Sequence, residues 1–285
     1  MRRDGPLAQG WHTTSINGVK LSYEVAGSGP VCVAHSGGPG ISSGYLRMPL
    51  LAGYLTMVYL DPIGTGESDL LPGGEYDIPT YACYLEAFIN HLMVPQPLIL
   101  GHSHGGMVAL ELAMQNPGRL GGVIAYDAAP VYNDELWDET FRQMAAFAQR
   151  WPERPEAIKA ARAWHATGGG EPHTDDQFLA DVFPAYFADY RQTLAQSSLP
   201  RLQMTWDPNR KSKPWSARGR LGAITAPTLL ICGDFDFVCP PRWSREMRAA
   251  IRGSQLCELH NSGHFGHLEQ PWDFTDAVVK FVWGP

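Results

Sequence analysis

The chain has 285 residues, of which 44% are hydrophobic and 18% are charged, so it is long and apolar enough to bury a sizeable core. Its formal net charge of −7 argues against nucleic acid as a partner. The sequence has no apolar run long enough to span a membrane, no apolar stretch behind Arg2 and Arg3 and no disulfide spacing among its five cysteines, which together predict a cytoplasmic protein.

The first part of the chain alternates between strand and helix patterns. Asn17-Gly18 lies between two alternating runs and is a strong hairpin signal. One helix is predicted to begin with Thr80 as its cap and to end near Met93, and another covers residues 106–114. The predicted strands are residues 11–16, 19–25, 31–35, 57–61, 97–100 and 122–126.

Strand-like runs disappear from about residue 130 onward, and helical, aromatic-rich segments replace them. The alternating pattern resumes near the end of the chain, with predicted strands at 227–232 and 255–260 and predicted helices at 241–251 and 271–283. We therefore predict a core formed by residues 1–130 and 222–285, with residues 131–221 inserted as a helical cap over the active site. Most aromatic side chains of the cap are expected to pack in its own small core, and a minority to face the pocket.

Short apolar strands that alternate with helices indicate an α/β fold. Such folds have a mostly parallel central sheet that is flanked by helices on both faces. In open sheets of this kind, functional groups gather beyond the carboxyl ends of the strands. The turns that directly follow the predicted strands are therefore where we look for chemistry.

Residues 101–105 read Gly-His-Ser-His-Gly and lie between a predicted strand and a predicted helix. A serine between two near-adjacent glycines at such a junction predicts a nucleophile elbow, a turn so tight that flanking side chains would clash. The turn would lift the Ser103 hydroxyl over the N-terminus of the following helix, where negative charge is favoured. The pattern favours a serine hydrolase.

A serine hydroxyl needs a neighbouring base, and the base needs a third group that orients it. Two loops downstream of Ser103 follow predicted strands and offer these groups. The first contains Asp234 and Asp236, and the second contains His264 and His267. The chain order of nucleophile, acid and histidine agrees with that of α/β-hydrolases.

Four motifs give the chain a specific resemblance. They are Ser36-Gly-Gly-Pro-Gly40, Asp61-Pro-Ile-Gly-Thr-Gly-Glu-Ser68, the elbow, and the acid and histidine loops. With these motifs the chain resembles the α/β-hydrolase superfamily and, within it, the prolyl iminopeptidase-like branch. The resemblance covers both core segments and is weak over the cap.

The resemblance implies a role for each candidate residue. The family pattern G-x-x-D-x-x-x-P selects Asp236 as the acid and leaves Asp234 as a turn or surface group. The pattern G-H-x-x-x-L-E-x-P selects His264 as the base and gives His267 a structural role. The resemblance also implies an oxyanion hole formed by the backbone N–H groups of Gly38 and His104. Ser36 stands where the family usually has histidine, which alters the support of that loop without removing the donor.

The density of histidines near the elbow raises the alternative of a metal site. His102 and His104 form an H-x-H pattern, but an elbow turns these two side chains apart. His264 is in addition required as the base. We therefore predict no metal and no cofactor, and a small-molecule substrate as the only partner, with His104 and Phe237 as candidate substrate contacts. The sequence leaves the oligomeric state open.

The resemblance alone would suggest the release of N-terminal proline from peptides. That activity requires a carboxylate for the substrate ammonium, and in one branch a glutamate directly follows the catalytic aspartate, where this chain has Phe237. The remaining acidic candidates are Glu135, Glu139, Glu153, Glu156 and Glu171. We therefore predict a hydrolase of carboxylic esters or lactones with a bulky, apolar substrate such as a macrolide-type lactone. A proline iminopeptidase and a non-catalytic binding protein on the same fold are the alternatives.

Overall fold

A computed structural model of the protein describes residues 5–168, 176–191 and 199–284. Its sheet begins with the predicted hairpin, in which strands β1 (Gly10–Ile16) and β2 (Val19–Gly27) pair in antiparallel register. The two residues of the turn, Asn17 and Gly18, both have positive φ, at 51° and 80°. Asparagine and glycine tolerate this conformation better than other residues, which is why the pair is a hairpin signal.

An eight-stranded sheet forms the centre of the described structure, in the order β1-β2-β4-β3-β5-β6-β9-β10. The pairs β1–β2 and β2–β4 are antiparallel and all others are parallel, which confirms the predicted fold class. The other strands are β3 (Val31–His35), β4 (Thr56–Asp61), β5 (Leu98–His102), β6 (Gly122–Tyr126), β7 (Val131–Tyr132), β8 (Trp215–Ser216), β9 (Thr228–Gly233) and β10 (Gln255–Leu259).

The inner strands β3, β4, β5, β6 and β9 are buried along their whole length. Burial on both faces explains why these segments are continuous apolar runs rather than alternating ones. No helix of the described residues is long and apolar enough to cross a membrane. The helices are α1 (Pro49–Ala52), α2 (Ile78–His91), α3 (His104–Gln115), α4 (Asp134–Arg150), α5 (Pro155–His165), α6 (Asp176–Val182), α7 (Pro241–Ala250), α8 (Gly266–Glu269) and α9 (Pro271–Trp283).

The predicted start of α2 was wrong. The helix begins at Ile78, and its cap is Asp77 rather than Thr80. The Asp77 carboxylate accepts hydrogen bonds from both the backbone N–H and the hydroxyl of Thr80, at 3.0 and 2.6 Å. An aspartate followed by a proline in the first turn is the stronger start signal, because proline has no N–H that needs an acceptor.

The segment predicted as an all-helical cap also contains two short strands. β7 and β8 lie near its two ends and pair in antiparallel register, Val131 with Ser216 and Tyr132 with Trp215. Strands of two residues carry no alternating pattern, so the sequence did not reveal them. Helices α4, α5 and α6 lie between them in the chain. The division into a core and a cap over residues 131–221 stays a prediction.

Candidate active site

Ser103 lies between β5 and α3 in a conformation that non-glycine residues rarely adopt, with φ 54° and ψ −120°. Its backbone N–H donates to the carbonyl of Tyr126 on β6 at 2.8 Å, which ties the turn to the sheet. A Cβ atom at Gly101 would overlap the Gly105 carbonyl, and one at Gly105 would overlap the His35 carbonyl. The two glycines of the motif are therefore required by close backbone contacts, and the strain is concentrated at the serine.

His264 and Asp236 form a buried hydrogen-bonded pair. The His264 Nδ1 lies 2.8 Å from the Asp236 Oδ2. A carboxylate only accepts hydrogen bonds, so Nδ1 carries the proton and Nε2 is left as the acceptor. The other oxygen of Asp236 accepts the backbone N–H groups of Val238 and Cys239, at 2.8 and 3.0 Å. The loop itself therefore holds the carboxylate in place.

Asp234 and His267, the other two candidates in these loops, have different hydrogen-bond partners. Asp234 accepts the Ser262 backbone N–H at 3.2 Å and lies 3.6 Å from the exposed His260. His267 donates from Nε2 to the Tyr45 carbonyl at 2.9 Å, and its Nδ1 lies 3.0 Å from the Tyr126 hydroxyl. Burial lowers the pKa of His267 to about 4, so this imidazole stays neutral. Both side chains support loops and do not join the Asp236–His264 pair.

Ser103 and His264 line the same cavity, with Asp236 behind the imidazole. The cavity and its opening to solvent together contain about 770 Å³ of space that protein atoms do not fill, and neither aspartate nor glutamate is among its described lining residues. Much of its wall is aromatic and comes from segments between β6 and β9, as Tyr132, Trp137, Trp164, Phe178, Tyr186 and Trp206 show. The cavity therefore suits an apolar substrate without a positive charge.

Gly38 and His104, the candidate oxyanion donors, also line this cavity. His104 is the first residue of α3, so its backbone N–H has no acceptor within the helix. Gly38 has φ 120°, and a Cβ atom there would lie 2.8 Å from the Gly40 nitrogen, so only glycine fits. The neighbouring Gly37 N–H already donates to the Tyr45 hydroxyl at 2.8 Å. Gly38 and His104 thus stay the predicted oxyanion donors.

The two predicted substrate contacts differ in their positions. His104 borders the cavity, and burial keeps the pKa of its imidazole well below the ordinary value, with Arg210 adding to the effect. Phe237 is buried and does not border the cavity; its ring packs edge-on against Trp164 and lies 5.2 Å from that of Tyr186. Since these two rings form the wall, Phe237 supports it from behind, which corrects the expected direct contact.

A hydrogen-bonded chain that the sequence did not reveal connects the three loops of the site. The Tyr45 hydroxyl receives the Gly37 N–H and lies 2.6 Å from the His102 Nδ1. The His102 Nε2 donates to the backbone carbonyl of His264 at 2.8 Å. Burial lowers the pKa of His102 well below the ordinary value, so the ring stays neutral and can both accept and donate. These hydrogen bonds thus connect the turn that contains Gly37, the elbow and the histidine loop to one another.

Asp127 is a second unpredicted member of the site. It follows β6 with a positive φ of 46°, is fully buried, and accepts the Gly233 backbone N–H at 2.9 Å. Burial and the nearby Asp236 carboxylate raise its pKa well above the ordinary value. Among the described residues, His102, Asp127 and His264 bring potential metal-binding atoms within 4.8 Å of one another. Both nitrogens of His102 are already engaged in hydrogen bonds, one of them with the His264 carbonyl, so His102 supports the histidine loop.

Comparison with known proteins identifies the family. The alpha/beta hydrolase fold family matches residues 30–271. The chain belongs to this family. An uncharacterized protein of Mycobacterium tuberculosis is 27% identical over 282 residues, covering 94% of this chain and 80% of its own. The pimeloyl-[acyl-carrier protein] methyl ester esterase of Nitrosospira multiformis is 26% identical over 198 residues, covering 68% of this chain and 71% of its own.

Solved structures show the same fold in this family. A hydrolase of Bacillus anthracis superposes with a TM-score of 0.72 at 22% identity, covering 95% of this chain and 99% of its own. Within this alpha/beta hydrolase, the strained serine and the buried histidine–aspartate pair lie in loops that follow strands, where the fold gathers functional groups.

Proposed function

We propose that the protein is a serine hydrolase that cleaves a carboxylic ester or lactone through an acyl-enzyme intermediate. One observation carries this proposal: Ser103, held in a strained elbow, lines the same cavity as His264, whose other ring nitrogen is bound to Asp236. The arrangement supplies a nucleophile, a base and an orienting carboxylate, which is what acyl transfer to a serine requires.

The proposed reaction has two stages. The Ser103 hydroxyl attacks the substrate carbonyl while the His264 Nε2 takes its proton, and the oxyanion accepts the N–H groups of Gly38 and His104. Each such donor contributes roughly 3 kcal/mol to the stabilisation of the transition state. The protonated His264 then delivers the proton to the leaving alkoxide, and the acyl group stays on Ser103. A water molecule, deprotonated by the same imidazole, releases the acid and restores the serine.

The surroundings of the cavity favour an ester or lactone over a peptide with a free N-terminal amine. Glu135 pairs with Arg218 and Arg242, and Glu139 is occupied by Arg142 and Arg242. Glu153 and Glu156 are exposed, and Glu171 lies outside the described residues. A buried ammonium without a carboxylate partner would be costly, which counts against a proline iminopeptidase. The aromatic wall suits a bulky, apolar acyl group or lactone, as in a macrolide-type lactone.

Labelling with a fluorophosphonate tests the proposed chemistry. The probe phosphonylates an activated serine, and we expect mass spectrometry to locate the adduct on the peptide that contains Ser103. Ser103→Ala should lose the label, whereas Ser15→Ala, at an exposed position of β1, should keep it. An unlabelled wild type would favour a non-catalytic binding protein on the same fold. Equal labelling of Ser103→Ala would rule out Ser103 as the nucleophile.

Parallel assays separate ester hydrolysis from proline release. We expect kcat/KM for p-nitrophenyl butyrate to exceed that for proline p-nitroanilide, because no described lining residue offers a carboxylate to the proline ammonium. A preference for the proline amide would reverse the assignment. The Ser103→Ala variant, measured with both substrates, corrects for spontaneous hydrolysis.

A further inference from the structure

Glu269, at the end of α8, contacts two segments that meet beside the candidate base. Its Oε2 accepts the backbone N–H of Gly263, directly before His264, at 2.6 Å. Its Oε1 accepts the backbone N–H of Ala188, from the segment between β6 and β9 that forms much of the cavity wall, at 2.9 Å. Glu269 is the glutamate of the histidine-loop pattern G-H-x-x-x-L-E-x-P, and the reaction proposed above does not use it.

The two segments are also in direct contact with each other. The His264 backbone N–H donates to the Tyr186 carbonyl at 2.8 Å. Segment 186–188 is therefore bound to the histidine loop directly at Tyr186 and through Glu269 at Ala188. A Cβ atom at Gly263 would lie 2.9 Å from the Phe187 Cα and would overlap the Tyr186 carbonyl. Tyr186 in turn lines the cavity. A single carboxylate therefore joins the backbone of the base to the wall of the substrate cavity.

We propose that Glu269 is a positioning residue whose carboxylate holds the histidine loop against segment 186–188 and so fixes His264 relative to Ser103 and the substrate. The inference rests on the proposed function. A carboxylate accepts two N–H groups at once, one on each oxygen, whereas a neutral carboxyl keeps only one good acceptor and adds a donor. The ionised form is therefore the form that holds both segments.

The surroundings of Glu269 make this contact sensitive to pH near neutrality. Burial raises its pKa to about 7, although the backbone N–H groups lower it, and the Asp234 carboxylate raises it further. Asp127 and the Arg150 guanidinium of α4 also interact electrostatically with Glu269. Because the carboxylate is the competent form, activity should rise as pH increases through about 7, in addition to the rise that accompanies deprotonation of the base.

Glu269→Gln tests the proposal, because glutamine has the shape of the neutral carboxyl group. Its amide oxygen accepts one N–H while its NH₂ group faces the other. At pH 8 we expect kcat/KM for p-nitrophenyl butyrate to fall roughly tenfold or more, as small displacements of catalytic groups do. At pH 5.5 the wild type is itself neutral at this position, so the ratio of wild type to variant should approach one.

A matched control is Glu258→Gln, on β10, where the carboxylate pairs with Arg245 away from the cavity. Its kcat/KM should equal that of the wild type at both pH values. A ratio for Glu269→Gln that stays near one at pH 8 would overturn the proposal. So would a large loss that is the same at every pH, because that result indicates general structural damage.

The wild-type profile gives a test that needs no variant, in case Glu269→Gln does not fold. As pH falls through about 7, log kcat/KM should fall by roughly one unit more than protonation of the base alone accounts for, because neutral Glu269 lowers the rate about tenfold. A profile that fits a single ionisation would contradict the proposal. The rate of fluorophosphonate labelling separates the hypothesis of a serine mechanism from the hypothesis that Glu269 positions the histidine loop. An unlabelled wild type refutes the serine mechanism, whereas equal labelling rates of wild type and Glu269→Gln at pH 8 refute only the role of Glu269.

Discussion

His264→Gln should lower kcat for p-nitrophenyl butyrate by roughly 10⁵ to 10⁶, because loss of the base in a serine triad costs about as much as loss of all three residues. Glutamine has no nitrogen that can accept the Ser103 proton at neutral pH. The Asp236 carboxylate can still receive a hydrogen bond from the glutamine amide, so the fold of the loop should be kept. We would measure kcat of the wild type and of His264→Gln, and record circular dichroism spectra of both proteins to check that the variant is folded.

His260→Gln is the matched control for this variant. His260 is four residues earlier in the chain, its side chain is 87% exposed, and it lies 3.6 Å from Asp234 rather than on the cavity. Its kcat should stay close to that of the wild type. Activity of His264→Gln within about tenfold of the wild type would contradict the assignment of His264 as the base, since general base catalysis alone contributes 10² or more.

The elbow was predictable because its sequence pattern is imposed locally. The contacts that exclude side chains at Gly101 and Gly105 involve the turn itself and the adjoining strand β3. Such contacts demand glycine in whatever chain adopts the turn, so spacing and flanking apolar runs were enough to predict it. The mostly parallel sheet was predictable from the apolar runs, since strands that are buried on both faces do not alternate between apolar and polar residues.

The choice of acid and base could not be made from spacing. Asp234 and Asp236 follow the same strand, and only the family resemblance distinguished them. The structure supplies a physical basis for the choice, because Asp236 binds the His264 imidazole while Asp234 accepts from Ser262 in the loop beside it. Which carboxylate points inward depends on the course of a loop that no periodic pattern describes.

Supporting groups were missed because their partners are far away in the chain. Tyr45 lies 57 residues from His102, and no local motif links them. Glu269 reaches 81 residues back to Ala188. Phe237 was placed wrongly for a related reason: it adjoins Asp236 in sequence, yet its side chain packs against Trp164 behind the cavity wall. Proximity in sequence to a candidate residue does not fix the direction of a side chain.

Asp236→Asn should lower kcat by roughly 10⁴ while leaving the fold intact, as expected when the wrong histidine tautomer is stabilised. The asparagine amide would present its NH₂ group to the His264 Nδ1, which would then act as the acceptor and leave the proton on Nε2. An imidazole in that state cannot take the proton of Ser103. The asparagine oxygen can still accept the N–H groups of Val238 and Cys239, so the loop keeps its internal hydrogen bonds.

Asp234→Asn provides the control, since it makes the same chemical change two residues earlier. The asparagine oxygen can still accept the Ser262 N–H, and the carboxylate that binds His264 is that of Asp236, so kcat at pH 8, where Glu269 is ionised in both proteins, should match the wild type. Equal losses in the two variants would show that charge in this loop, rather than the tautomer of His264, determines the rate. A larger loss in Asp234→Asn would reverse the assignment of the acid. The double variant Asp127→Asn/Asp236→Asn shows whether Asp127 supplies the activity that remains in Asp236→Asn. Asp127 is the candidate because removing the Asp236 charge removes one cause of the raised pKa of Asp127.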